Sequence, residues 1–263
     1  MEFCRYEKKD HVAYITITRP EVMNALHAPA SLELAGAWDD FAADDALWVA
    51  VLTGEGDRAF SAGNVLKWTA EMSRLPADQR PRMTFPASGF GGITSRFDLF
   101  KPVIARVNGF ALGGGLEMAL ACDIIVAATH AEVGLPEPRR GLIAGALGVY
   151  RLPRQLPLKV AMGYMLTGRH IPAERAYQIG LVNEVVPLPD LDAAVDAWVQ
   201  DILRCAPLSV RSTKESAMRG LEVSLAEAAV ARFDWETRRR QSADAIEGPR
   251  AFAEKRAPNW TGS

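Results

Sequence analysis

The sequence predicts an α/β protein, and three observations lead to that fold class. Short apolar runs of strand length recur through the first two thirds of the chain. Segments with the spacing of amphipathic helices separate these runs, which is the pattern of βα units around a largely parallel sheet. From about residue 190 onward, strand patterns stop and one helical pattern follows another. The expected organisation is therefore a core of residues 1–189 followed by a helical region of residues 190–263.

Five runs have the length and composition of buried or half-buried strands. The first alternates between apolar and polar residues, and Arg19-Pro20 ends it because proline cannot donate a hydrogen bond to a neighbouring strand. The others are short and mostly apolar, as in strands that are covered on both faces. Strands are predicted at residues 11–18, 48–53, 102–107, 123–127 and 182–186.

Helices are predicted where apolar residues recur every three or four positions. Charges of alternating sign along the last of them indicate faces that meet solvent or another subunit. Residues 76–92 are rich in proline, glycine and polar residues, and we expect a loop there that forms a mobile wall of the site. The predicted helices span residues 29–41, 116–122, 191–203, 208–219, 225–241 and 243–255.

The composition argues against several classes of protein. The chain has 263 residues, of which 49% are hydrophobic and 24% charged, as in an ordinary globular protein with a sizeable core. A formal net charge of −2 argues against a surface dedicated to nucleic acid or to an anionic membrane. No apolar run approaches the ~18 residues that span a bilayer, and the charged first ten residues have no apolar centre of a secretory signal. We therefore expect neither nucleic acid nor membrane as a partner.

The cysteines and histidines predict a reducing compartment and no metal site. Cys4, Cys122 and Cys205 are far apart and odd in number, so they suggest neither a disulfide framework nor a CxxC pair. A cytoplasmic location is the natural expectation. None of the four histidines has zinc-ligand spacing with a cysteine.

The most informative stretch is Gly113–Gly115 followed by Glu117. Glycine lets another molecule approach the backbone closely, and a helix start presents unpaired N–H groups with partial positive charge. The stretch therefore predicts a receptor for a negatively charged oxygen, with a carboxyl group beside it. The alternative is a tight packing turn and a glutamate that merely suits the helix dipole. No Lys-Ser/Thr follows, as a phosphate loop requires, and Met118 stands where a dinucleotide fingerprint has its third glycine.

Two further stretches carry candidate chemistry. Gly63-Asn64 lies in a turn of small residues, where exposed backbone N–H groups are expected; the alternative is an ordinary turn in which Asn64 caps a helix. Glu137 stands between Pro136 and Pro138, whose rings stiffen the backbone and suit a carboxyl group that must hold its position. Alone, this glutamate also fits a surface turn.

Together, the three stretches predict proton transfer beside an activated carbonyl group. The two turns can supply one N–H each to a single oxygen, and two carboxyl groups lie near the second turn in sequence. No Gly-x-Ser-x-Gly elbow is present, and no histidine is placed to activate a nucleophile. Paired carboxyl groups transfer protons near neutral pH when burial raises at least one pKa.

These residues belong to an ordered set of motifs that resembles the crotonase superfamily, the enoyl-CoA hydratases and isomerases. The resemblance covers essentially the whole chain, and the order of the motifs makes it specific. The matching residues are Arg19-Pro20-Glu21-x-x-Asn24-Ala25-Leu26, Arg58 to Gly63, Lys101 to Ala105, Asn108-Gly109 to Glu117, Ala121-Cys122-Asp123, Gly134-x-Pro136-Glu137, Gly168-Arg169, Gly180 to Asn183 and Glu247 to Arg256.

The resemblance implies a crotonase-like spiral of ββα units with the acyl-CoA site in residues 1–189. It also implies a C-terminal helical trimerisation region and assembly as a homotrimer or a hexamer of paired trimers. The ligand would be an acyl-coenzyme A thioester, with no other cofactor. By position, the N–H groups of the oxyanion hole come from Asn64 and Gly114. The residues along coenzyme A would be Ala62, Asn64, Val65, Leu66, Lys67, Gly114, Phe252 and Lys255, the last two reaching the nucleotide end.

The pair Glu117 and Glu137 favours a hydratase, because relatives that resemble hydratases carry both glutamates and many isomerases keep only the later one. Glu137 would exchange the proton at C2, and Glu117 would orient or deprotonate the water at C3. Val65 departs from the aspartate that many relatives have, and residues 138–142 also depart, which suggests a branched, carnitinyl or aromatic acyl group. The alternatives are an isomerase, a thioester hydrolase or lyase, and a non-catalytic member that binds coenzyme A or RNA.

Overall fold

The computed structural model describes residues 1–65, 70–72, 74–76 and 85–263. Ten strands and ten α-helices are found in this part of the chain. The strands are β1 Cys4–Lys9, β2 Val12–Ile17, β3 Val49–Gly54, β4 Ala59–Ser61, β5 Val103–Val107, β6 Phe110–Leu112, β7 Ile124–Ala128, β8 Glu132–Gly134, β9 Ile171–Pro172 and β10 Glu184–Val186.

The α-helices become more frequent toward the C-terminus, as predicted. They are α1 Ala28–Ala43, α2 Gly114–Ala119, α3 Gly148–Gln155, α4 Leu158–Thr167, α5 Ala173–Gln178, α6 Leu191–Leu203, α7 Pro207–Gly220, α8 Leu225–Val230, α9 Asp234–Gln241 and α10 Asp244–Ala253. Among the described residues, no helix is long and apolar enough to cross a membrane.

The larger sheet has six strands in the order β1-β2-β3-β5-β7-β10. All its neighbouring pairs are parallel except β1 and β2, which pair as an antiparallel hairpin. The five predicted strands are β2, β3, β5, β7 and β10, so the α/β fold class is confirmed. Strand β1 has the mostly charged or polar sequence CRYEKK, and its alternation is too weak to predict from composition.

Both faces of this sheet are covered, as the apolar runs predicted. In β3, Ala50 and Leu52 belong to one apolar cluster, while Val49 and Val51 point the opposite way into a second cluster. The first cluster is closed by α1, and the second by α6 through side chains such as Val195. The first helix of the predicted C-terminal region thus packs on the sheet. The division at residue 190 stays a prediction.

A smaller sheet of four strands has the order β4-β6-β8-β9. Strands β4, β6 and β8 are parallel, and β9 closes the edge in antiparallel orientation. Each strand has only two or three residues, which is too few to show a period of two in the sequence. This sheet was not predicted, and it is the one that carries the site.

The predicted single helix at residues 225–241 is wrong. Two helices, α8 and α9, are separated by extended backbone at residues 231–233. Helix α8 begins with a capping box made by Ser224 and Glu227. At the start of α9, the N–H of Trp235 donates to Oε2 of the buried Glu215 at 2.8 Å. This contact with α7 favours a second helix start over continuation of the first, because a carboxylate stabilises a helix N-terminus.

Candidate active site

The three chemistry-bearing stretches meet at one edge of the smaller sheet. Ser61 of β4 is in register with Ala111 of β6, and Leu112 of β6 with Gly134 of β8. Because these strands are parallel and adjacent, the segments that follow them leave the sheet side by side. Those segments carry Gly63-Asn64, Gly114 with Glu117, and Glu137.

The turn after β4 is held close to the start of α2. Gly63 has φ of 85°, and a Cβ atom there would lie 2.8 Å from the backbone nitrogen of Gly114. The next residue, Asn64, lies in a parallel bridge with Leu26. Leu26 donates its N–H to Gly63 O at 2.7 Å and accepts the N–H of Val65 at 3.0 Å. Backbone bonds on both sides therefore fix Asn64, and the valine at 65 makes its bond without using its side chain.

The predicted residues along coenzyme A are only partly described. Ala62 lies in the turn after β4, where its N–H donates to Met23 O at 2.9 Å and is used within the fold. Leu66 and Lys67 lie outside the described residues. The path proposed for the pantetheine chain therefore stays a prediction.

The glycine run begins α2 two residues earlier than predicted, at Gly114. An N–H at the first position of a helix has no acceptor within the helix, as an oxyanion donor requires. The packing explanation of the run also holds. A Cβ atom on Gly114 would lie 2.5 Å from Cε1 of Phe90, and one on Gly115 would collide with the carbonyl of Ser61. The run thus combines close packing with a donor at the sheet edge.

Glu117 is buried, with 3% of its surface exposed. Its Oε1 accepts the N–H of Gly148 at the start of α3, at 2.8 Å. Burial raises the pKa of Glu117 to about 7, and the negative charge of Glu137 adds to the rise. Hydrogen bonds from the backbone of Gly148 and Ala146 and the charge of Arg151 oppose it. This glutamate can therefore hold or release a proton near neutral pH.

Glu137 opens a short 3₁₀ turn, Glu137–Arg140, directly after β8. Its Oε1 lies against Gly113, where an added Cβ atom would approach to 2.7 Å. Its Oε2 is buried and has no hydrogen-bond partner among the described residues. Burial raises the pKa of Glu137, while the charge of Arg140 lowers it. Oε2 of Glu137 is therefore available to a substrate atom.

The described end of the predicted mobile loop is tied to α1. Gly91 accepts the Nε1–H of Trp38 at 3.0 Å and donates its N–H to Ser31 Oγ at 3.2 Å. The ring of Phe90 packs between Gly114 and Phe85, whose ring centroid is 5.7 Å away. Residues 77–84 of this loop lie outside the described residues. Phe90, which contacts Gly114, is thus an aromatic wall of the site, and the hydrogen bonds of the neighbouring Gly91 tie it to α1.

Phe252 and Lys255 are not brought to the cluster in this single chain. Phe252 lies in the last turn of α10 and is 86% exposed, and Lys255 follows the end of that helix. No hydrogen bond or ion pair within the described ranges connects either of them to the edge of the smaller sheet. Their predicted role at the nucleotide end of coenzyme A stays a prediction. In the same ranges, no group of three or more His, Cys, Asp or Glu is placed to hold a metal ion.

Three residues of the site escaped the sequence interpretation: Phe90, Gly148 and Arg151. Gly148 is 31 positions from the glutamate that it contacts, and no local pattern indicates the pairing. One signal was available, because Gly145 and Gly148 form a second glycine-rich segment before a helix. Leu147, with φ of 78°, carries the left-handed turn that starts this helix.

Comparisons with known proteins identify the family. A family model described as enoyl-CoA hydratase/isomerase matches residues 7–263. Over 265 residues, the chain is 40% identical to a carnitinyl-CoA dehydratase from Salmonella arizonae, and 99% of each chain is covered. It is 38% identical over 258 residues to an (E)-benzylidenesuccinyl-CoA hydratase from Thauera aromatica, with 98% of each covered.

A solved structure shows the same similarity in three dimensions. The crystal structure of an enoyl-CoA hydratase from Mycobacterium tuberculosis H37Rv superposes with a TM-score of 0.91 at 39% identity, and the match covers 100% of both chains. The similarity therefore extends over both sheets and the C-terminal helices.

Proposed function

The chain belongs to the enoyl-CoA hydratase/isomerase family, and from that premise we propose that it catalyses the reversible addition of water across the 2,3 double bond of an acyl-CoA thioester. Family membership and the relatives support a hydratase or dehydratase of the crotonase family that acts on coenzyme A thioesters. The observation that carries the finer proposal is that the buried Glu117 and the half-buried Glu137 lie on segments that follow two neighbouring strands, beside the start of α2, whose first N–H has no acceptor within the helix.

The proposed oxyanion hole consists of the backbone N–H groups of Asn64 and Gly114. Both donors would bind the thioester oxygen as it gains enolate charge when a C2–H bond breaks or forms. Removing one such donor in other enzymes costs about 3–4 kcal/mol of barrier, so two donors supply a large share of the rate. The close contact between Gly63 and Gly114 supports this pairing.

The carboxyl pair would work with a single shared proton. Burial raises the pKa of Glu117 to about 7, and in the proposed mechanism Glu137 ionises first, so that the remaining proton resides mainly on Glu117. In dehydration, ionised Glu137 would take the proton from C2, and Glu117 would protonate the hydroxyl group that leaves C3 as water. Hydration is the reverse: it would start from the form with the shared proton on Glu137, so that ionised Glu117 takes a proton from the attacking water and Glu137 gives its proton to C2. The pair ends each turnover with one proton, as it began.

Two carboxyl groups support hydration over isomerisation, because shifting a double bond moves a proton between two carbons and needs one acid/base group. The identity of the acyl group is less closely defined than the type of reaction. Relatives act on carnitinyl and benzylidenesuccinyl thioesters, as their names state, and we propose a substituted acyl group of this size range for the present chain. Coenzyme A is part of the substrate, and no further cofactor is proposed.

We also propose assembly through the C-terminal helices, in keeping with the trimerisation that the family resemblance implies. Leu221, Leu225 and Phe252 are each more than four fifths exposed in the single chain. Large apolar side chains in such number on one region favour a protein contact. Light scattering coupled to size exclusion would report a trimer or hexamer if this is correct, and a monomer if it is not.

The experiment for the reaction compares Glu117→Gln and Glu137→Gln with the wild type on crotonyl-CoA, carnitinyl-CoA and (E)-benzylidenesuccinyl-CoA. Each amide keeps the shape of the side chain but cannot exchange the proton, and we expect hydration and dehydration to fall by about 10²–10⁴-fold. Glu132→Gln is the matched control, since Glu132 lies on β8 but bonds His170. Wild-type rates in both site variants, or no turnover of any thioester by the wild type, would overturn the proposal.

A further inference from the structure

Arg151 is a half-buried cation on α3, the helix whose first residue donates its N–H to Glu117. It lies on α3, one turn after Gly148, whose N–H binds Oε1 of Glu117. Its electrostatic neighbours are Glu117 and the thiol of Cys122. Burial raises the pKa of that thiol, so it is neutral and Glu117 is the neighbour that can carry charge. Within the described part of the chain, no carboxylate lies within salt-bridge distance of the guanidinium.

Two further contacts hold the guanidinium in place. Nη1 donates to the carbonyl of Thr94 at 2.6 Å, and the guanidinium carbon lies 5.7 Å from the ring centroid of Phe97. Thr94 in turn donates its N–H to Phe90 O at 3.4 Å. Arg151 therefore joins the aromatic wall beside Gly114 to the helix that binds Glu117.

A positive charge in this half-buried position is energetically unfavourable unless it interacts with an opposite charge. Removal of a charge from water without a close partner is unfavourable, and guanidinium cannot lose its proton to avoid the cost. Burial accordingly lowers the pKa of Arg151, yet the group stays charged throughout the range in which proteins fold. A permanent positive charge near Glu117 favours the ionised form of that carboxyl group.

The other groups around Glu117 do not supply such a charge. Its own helix contributes none, the start of α3 contributes the N–H of Gly148 and the backbone of Ala146, and the 3₁₀ turn contributes the negative charge of Glu137. Arg140, on that same turn, acts on Glu137. Among the described groups that face Glu117, Arg151 is thus the cation.

We propose that Arg151 is a positioning residue for the carboxyl pair, whose fixed charge sets the upper pH limit of the range in which Glu117 and Glu137 share one proton. The inference rests on the proposed function, because it assigns that one-proton state to the reaction. Without the charge, Glu117 would hold its proton to higher pH, and the reactive range would extend upward.

The test compares the pH profile of kcat/KM for dehydration or hydration in three variants. Arg151→Gln removes the charge and keeps a polar N–H group on the side chain. Arg151→Lys keeps the charge. Arg154→Gln is the control, because Arg154 lies three residues further on the same helix, is exposed, and bonds Tyr150 O. We expect the alkaline limb to move up by about 0.5–1 pH unit in R151Q, as for loss of one nearby opposite charge. It should stay at the wild-type position in R151K and R154Q.

Loss of activity in R151Q with an unmoved alkaline limb would overturn the inference, since it indicates a merely structural role. If R151Q does not fold, Arg151→Met supplies a second neutral variant with a stem suited to a half-buried position, and the same criterion applies. Infrared difference spectroscopy of the Glu117 carboxyl band, assigned with Glu117→Gln, follows its protonation without turnover. A wild type that turns over no thioester overturns the proposed function, while a band that titrates identically in wild type and neutral variant overturns this inference.

Discussion

Gly113 and Glu137 meet across two neighbouring strand ends: a Cβ atom on Gly113 would lie 2.7 Å from Oε1 of Glu137. The glycine at 113 therefore has a second purpose besides the turn. It leaves the space in which one of the two proposed acid/base groups stands. Gly148 does the same for the other group, because a Cβ atom there would lie 2.9 Å from Oε1 of Glu117.

The first prediction is that Glu137 needs the space left by the absent side chain of Gly113. Gly113→Ala should lower kcat/KM by about 10²-fold, the cost expected when a reacting group is displaced by about 1 Å. Gly113 also has φ of 55°, so the substitution adds backbone strain. Gly180→Ala is the matched control, because Gly180 has φ of 80° with nothing near its absent Cβ atom. Equal activity losses in the two variants would contradict the role of the clearance.

The second prediction isolates the proposed donor at Gly114. Proline is tolerated at the first position of a helix and has no N–H. Since a Cβ atom there meets Phe90, the change is made with Phe90→Ala. We expect F90A/G114P to lose about 10²–10³-fold in kcat relative to F90A/G114A, which retains the N–H. Similar kcat values for the two double variants, both folded by circular dichroism, would remove Gly114 from the oxyanion hole.

The third prediction is a bell-shaped pH profile for the wild type. A reaction that needs one proton on the pair is slow when both carboxyl groups are protonated and slow when both are ionised. The alkaline limb should lie near pH 7, where Glu117 loses the last proton, and the acidic limb below it. Steady-state kcat/KM from pH 4 to 10 measures both limbs. Rates that keep rising through pH 8 would show that the doubly ionised pair is the active form.

The fourth prediction concerns stability. Asn108 is fully buried, and its Nδ2 donates to the carbonyl groups of Gly54, Gly56 and Ala59 at 2.9, 2.7 and 3.2 Å. Asn108→Ala leaves these buried acceptors without that donor and should lower the free energy of unfolding by about 2–4 kcal/mol. Urea unfolding measures the difference. The exposed Asn259→Ala should change it by less than about 0.5 kcal/mol, and an equally small effect of Asn108→Ala would contradict this account.

Most of the larger sheet was predictable because β2, β3, β5 and β7 are mostly apolar runs of five or six residues. The smaller sheet was not, since Ala59–Ser61, Phe110–Leu112 and Glu132–Gly134 are too short to show alternation. Their motifs nevertheless indicated the chemistry, because glycines and glutamates mark the turns that follow these strands. The family resemblance predicted the crotonase-like fold and the hydratase or dehydratase chemistry, and the comparisons confirm both.

What the sequence did not reveal was the environment of each glutamate. From the sequence, one interpretation of Glu117 is a residue that suits the dipole of its own helix, yet the carboxyl group accepts a hydrogen bond from Gly148 at the start of a different helix. Arg151 is 34 positions from Glu117, and an arginine within an ordinary helical pattern gives no indication of such a neighbour. Contacts between distant segments depend on the packed structure, so local patterns cannot predict them.

The three parallel strands of the smaller sheet fix the spacing of the reacting groups in a way that is useful to a protein engineer. Adjacent strands are about 4.8 Å apart, and that repeat does not depend on the length of the segments joining them. Substitutions in the segments that join these strands can therefore change which acyl group is accepted, provided that the turn at 62–65, the Phe90 wall and strand β5 are kept. The smaller sheet would keep the reacting groups in place, while the selectivity for the acyl group is changed independently.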